Sequence, residues 1–167
     1  MALGNQFKTD ELGGSAFAAT YTTEQYPLGT LAIQQADEVV AANSTHEGDR
    51  VWVFVKATGA LSANKVVARV VGASAWAGTT AGAGSTYQEV LGVADHAIAI
   101  NSYGWIIRRG CCEVTADGSS TQAVDQMTVA SGEVSDMTSG LEARVIGNAL
   151  DTDTGSSTVI SMYLGLA

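Results

Sequence analysis

An all-β fold, a compact barrel or sandwich of short antiparallel strands with little helix, is predicted by three features of this sequence. Apolar residues recur with period 2, as in DRVWVFVK at 49–56, where Val51, Val53 and Val55 share one side and Trp52, Phe54 and Lys56 the other. The segments between such runs (AWAGTTAGAGST, TADGSSTQ, SGEVSDMTSG, DTDTGSS) are made of Gly, Ser, Thr and Asp, which favour tight turns. The whole chain has 167 residues with 46% hydrophobic content, enough for one domain with a sizeable core.

Residues 1–29 show no sustained period, yet they carry Phe7, Phe17, Tyr21 and Tyr26. Four aromatics are more than an idle tail needs, so this stretch reads as an extended arm ahead of a single β domain at 30–167. The arm docks either on its own domain or on a neighbouring subunit, and its removal is expected to leave the domain folded. The next segment, LAIQQADEVVAA at 31–42, has good helix formers but also Val39 and Val40, and stays open between helix and strand.

Strands are expected at 49–56, 66–71, 89–93, 103–114, 126–130, 143–147 and 158–164. Both faces of 49–56 are apolar, and a homotrimer or other closed ring is expected to cover what one small sheet stack cannot. In 103–114, strict alternation puts Trp105, Ile107, Arg109, Cys111 and Glu113 on one face and Ile106, Arg108, Gly110, Cys112 and Val114 on the other. Charge gathers toward one end of this strand, as at a rim or subunit contact, and at most one of the two thiols should be fully buried. A weak echo aligns Val90, Gly92 and Gly110 with Val145, Gly147 and Gly165, which suggests two similar hairpins, each with a glycine at a close backbone approach.

Charge and residue chemistry exclude several functions. Eight Lys and Arg against 17 Asp and Glu give a net charge of −9, which repels phosphate backbones, so nucleic acid is not an expected partner. The apolar runs are too short to span a bilayer, and the first residues lack the pattern of a signal peptide, so synthesis in a cytoplasm is expected, with no membrane partner. Cys111 and Cys112 are adjacent, too close for an unstrained disulfide, and free thiols are expected. DTDTG opens like a calcium loop at Asp151 and Asp153, but Met162 stands where the closing acid belongs, and a self-capped turn is the better reading. AGAGST lacks the lysine of a phosphate loop, His46 and His96 have no ligand-spaced partners, and Asp95 beside His96 has no serine in a nucleophile elbow. No enzyme, cofactor or metal site is predicted.

The stretch EVLGVADHAIAINSYGWIIRRGCCEVTADG, preceded by EGDRVWVFVKATGALSANKVV and followed by RVIGNALDTDTGSSTVISMYLG, resembles a group of small virion proteins of tailed bacteriophages. The resemblance spans roughly 28–166, and the Cys111–Cys112 pair and the arm depart from it. It implies a capsid decoration or cement protein, found on the outer surface of the head, whose partners are further copies of itself in a trimer and the phage major capsid protein. Contacts are expected at Phe7, Phe17, Tyr21, Tyr26, Trp52, Phe54, Trp105, Arg108 and Arg109. The rival from another class is a carbohydrate- or receptor-binding module of a phage tail or fibre, with Trp52, Trp76, Tyr87 and Trp105 as a stacking platform.

Overall fold

The computed structural model describes residues 6–8, 14–35, 48–70, 72–81, 87–118, 126–130, 132–136, 145–151 and 159–166. Its strands, in chain order, are β1 (Gln6–Lys8), β2 (Thr20–Tyr21), β3 (Leu31–Gln34), β4 (Arg50–Ala57), β5 (Lys65–Val70), β6 (Ala77–Thr80), β7 (Tyr87–Ala94), β8 (Tyr103–Thr115), β9 (Gln126–Ala130), β10 (Glu133–Asp136), β11 (Gly147–Ala149) and β12 (Val159–Gly165). A 3-10 turn at Gly14–Ala18 is the single helical element among the described residues. The predicted all-β class is what the chain adopts.

Five strands close into a barrel. β4 pairs in parallel with β6 through Lys56 and Ala77, and β6 pairs antiparallel with β5. β5 then pairs with β7, β7 with β8, and β8 returns to β4. Side chains alternate across each strand, so Val53, Val55 and Ala57 of β4 point inward with Val67, Leu91 and Ile106, while Leu61 and Ile98 close one end.

The alternate residues of the same strands, Trp52, Phe54, Val66, Val93, Trp105 and Ile107, form a second core on the outside of the barrel. Phe17 and the flanking Tyr21, Tyr26 and Leu28 pack on it from the N-terminal side, and Ile160, Met162 and Leu164 extend it from β12. Both apolar faces of β4 are therefore covered by the chain itself. The expectation that a second copy must cover one of them gives way, because the sequence period shows that cover is needed without showing where it comes from.

Strand β3 pairs with β4 and β2 with the start of β8, whereas β9 to β12 wrap the far half of β8. β12 pairs with β8 from Val159 opposite Thr115 to Gly165 opposite Arg109, β11 with β12, β9 with β11 and β10 with β9. A single parallel bridge, Ala116 to Val134, and a hydrogen bond from the Asp117 N–H to the Val134 carbonyl (2.9 Å) return β10 to the end of β8. Lys65 of β5 and Glu133 of β10 form an ion pair at 2.5 Å between the barrel and this second set.

Strict alternation fails at one point in β8. Trp52 pairs with Ile107 but Val51 pairs with Arg109, so Arg108 is an extra residue in the ladder. Beyond this bulge Cys112 and Val114 share the core of Trp105 and Ile107. The bulge rests on Gly110, whose φ of +102° suits only glycine and whose Cα lies where a Cβ would strike the Asp49 carbonyl oxygen. Both thiols are buried, against the expectation of one. Residues Gly92 and Gly147, matched in the sequence echo, sit against the Ile107 and Tyr163 carbonyls of the facing strands.

The described part of 1–29 is packed into the body. Phe17 is 4% exposed, the Gly29 N–H donates to the Phe54 carbonyl at 2.9 Å, and β1 lies parallel to β3 with Phe7 opposite Ala32. The ambiguous segment 31–42 begins as strand β3, and residues 36–42 lie outside the described residues.

Candidate interaction surface

Six of the seven aromatic residues nominated from sequence come together and face one another; the side chain of the seventh, Phe7, lies outside what the structure describes. Phe17 stacks on Trp52 (centroids 4.7 Å, 24°) and meets Trp105 edge-on at 5.6 Å. Tyr26 lies 5.3 Å from both Phe54 and Trp105, and Tyr21 lies 6.0 Å from Phe54. Trp52, Phe54 and Trp105 are buried, and the Trp52 indole donates to Gln34 Oε1 at 3.0 Å. Such edge-to-face and offset pairs stabilise by roughly 0.5–1.5 kcal/mol each beyond area burial. Phe17, Trp52, Phe54 and Trp105, expected at a contact, are buried within the single chain as core residues; a strand buried on both faces carries the same residue types as a docking strand. Burial of Trp52 and Trp105 removes two of the four residues of the expected sugar platform; Trp76 is half-buried, and the Tyr87 side chain lies outside what the structure describes.

The arginines part ways at the bulge. Arg108 lies half-buried over the Trp76 ring at 4.9 Å and donates from Nη1 to the Leu91 carbonyl at 3.3 Å. Burial holds its guanidinium below the usual range, with Glu89 opposing. Arg109 is exposed and, with Ile33, Asp49, Val51 and Tyr163, lines an open groove of about 340 Å³. Among the nominated residues whose side chains are described, Arg109 is the most open to solvent, with Tyr21, Tyr26 and Arg108 partly buried.

Among the described residues, large apolar side chains reach the surface at Ile100 (57% exposed), Val159 (50%) and Tyr163 (41%), none of which the sequence marks out. Val159 and Tyr163 belong to β12, on the face opposite Ile160 and Met162, beside Glu113 and Cys111 of β8. Ile100 sits on the loop between β7 and β8, two residues past the fully buried Ile98. Alternation through AIAINS gave no sign of which isoleucine would be out.

Chemically reactive groups are held apart or kept neutral. Burial pushes the Cys112 thiol far up, and the Cys111 thiol up as well, with Arg50 pulling each the other way. Neutral thiols are poor nucleophiles and poor ligands. Burial pushes His96 down, Asp95 and the Ala19 backbone opposing. Asp151 accepts a hydrogen bond through Oδ2 from the Ser161 N–H at 3.0 Å, and Asp153 and His46 lie outside the described residues. No three His, Cys, Asp or Glu side chains among the described residues converge as a metal site would require.

The geometry defines a β-barrel protein with a complete internal core and no assembled catalytic group among the described residues. No family model matches the chain, and no curated protein matches it. Among solved structures, it is similar to the N base of the head fiber gp8.5 of bacteriophage phi29, with 16% identity over 70% of this chain and 94% of that chain and a TM-score of 0.50. The likeness is one of fold.

Proposed function

We propose that the chain is a structural protein of a phage virion, one that decorates and stabilises the head by binding its outer surface as an oligomer, a trimer in the simplest case. The observation that carries this reading is the shared fold with a phage head fiber base, aligned over nearly all of that domain. The sequence resemblance to small virion proteins points the same way. A decorating protein must arrive folded and bind through surface residues alone, and here both apolar faces of β4 are covered within the chain. The partners are further copies of the chain and the major capsid protein; nucleic acid, membrane and cofactor have no part in it.

The test uses heads of the phage that encodes the protein, prepared without it. Purified protein mixed with such heads should co-sediment to saturation and raise the temperature at which the heads release their DNA. Absence of binding at micromolar protein overturns the reading, and specific glycan binding by the isolated protein would replace it with a receptor-binding module.

A further inference from the structure

We propose that the barrel end formed by the loops at 57–64 and 95–102, with Ile100 at its tip, is the contact between copies of this chain. The inference rests on the oligomeric part of the function proposed above and deepens it by naming the surface.

Three observations converge there. The first is rigidity. Leu61 and Ile98 exchange N–H to carbonyl hydrogen bonds at 2.9 and 3.0 Å, the Ala57 N–H donates to Ser102 and the Asn101 N–H to Ala57, both at 2.8 Å, and the Ser102 N–H donates to Ala99 at 3.1 Å. Asn101 holds a left-handed φ of 61°, which fixes the turn that follows Ile100. A side chain displayed on a clamped loop loses little further freedom when it is buried against a partner.

The second is exposure: Ile100 is 57% exposed, while Thr58, Ala60, Ser62, Ala63, Ala97, Ala99 and Asn101 around it on the two loops are also at the surface. The third is charge. The segments ATGALSAN at 57–64 and AIAINS at 97–102 have no ionisable side chain, in a chain whose net charge is −9; Asp95 and His96 stand at the foot of the second loop, ahead of its tip. Copies arranged about an axis bring identical residues together, and like charges at that point would repel; an uncharged tip is what such a contact requires. The other exposed apolar residues, Val159 and Tyr163, stand beside Glu113 and Arg109, which suits a partner of different sequence better than a second copy.

Native mass spectrometry and sedimentation equilibrium at micromolar protein test this. The parent should be a trimer or other closed ring. Raising salt should tighten association, because it screens the mutual repulsion of the acidic bodies and leaves an uncharged contact intact. Ile100→Asp and, independently, Ala99→Asp should each weaken association by about thirtyfold, the effect of losing one strong contact residue, with unchanged melting. Val159→Asp should leave the mass unchanged. A monomeric parent overturns the inference, as does dissociation by Val159→Asp with both loop variants still assembled. A monomer that nevertheless binds heads would sink this contact and spare head attachment, whereas an oligomer that ignores heads would do the reverse.

Discussion

Gly110 shows how one backbone position sets the chemistry of its neighbours. Its left-handed φ lets β8 absorb Arg108 as an extra residue, which turns Cys112 into the core and leaves Arg109 in solvent. Gly110→Ala should lower stability by about 2–3 kcal/mol through strain and the Asp49 carbonyl clash, read as a lower urea midpoint. The bulge was not legible, because nothing in IIRRGCC distinguishes a strict alternation from one slipped by a residue; the glycine was the sole hint. The thiols follow from it. Both should resist a thiol reagent in the native protein at pH 8, and Cys112→Ser should cost about 1–3 kcal/mol for a buried hydroxyl without a partner. His96 carries a pH effect whose sign follows from its lowered pKa. The unfolded chain binds a proton near pH 6.5 that the folded protein takes up only at lower pH, so stability falls as pH drops through that value. The melting temperature should decline from pH 7 to 5, and His96→Gln should flatten that decline.

Elements with strong period and large β-branched or aromatic residues were legible: β4, β5, β7, β8, β9 and β12 fall close to their expected ranges. β6 (AGTT) and β10 (EVSD) were taken for connectors, since small and polar residues read as turns; β6 is a strand because the barrel needs a narrow member there, and Gly78 packs against Val67 and Leu91. The strand expected at 143–147 shares only Gly147 with β11 (Gly147–Ala149): residues 145 and 146 lie outside any strand, and 143 and 144 lie outside the described residues. The segment 1–29, expected as a docking arm that the domain can fold without, packs Phe17, Tyr21, Tyr26 and Leu28 on the outer core. Phe17 sits between Trp52 and Trp105, and Phe17→Ala should cost about 3–5 kcal/mol by leaving a cavity among large rings. Removal of 1–29 would take away Tyr21 and Tyr26 as well, so the truncated chain should lose its cooperative melting transition by circular dichroism. A truncated protein that melts like the parent would show that the rest of the outer core closes without them.

Two sets of strands share β8, and this decides how the molecule unfolds. Its first half supplies Ile106 to the barrel interior and Trp105 and Ile107 to the outer core, and its second half adds Cys112 and Val114 to that outer core beside β12. The outer core runs without a break from Phe17 and Trp52 to Met162 and Leu164, and Lys65 to Glu133 ties the two sets a second time. Separating them would expose half of β8 and the apolar row of β12, a loss neither set can make up alone, so unfolding should be a single cooperative transition. Two probes report on the two halves of β8: tryptophan emission follows Trp52, Trp76 and Trp105 on or beside the barrel strands, and reactivity of the lone thiol in a Cys111→Ser variant follows Cys112. Their urea midpoints should coincide within error. Exposure of Cys112 at clearly lower urea than the tryptophan change would mean that the strands after β8 open as a separate unit, and that the shared strand does not couple the two sets.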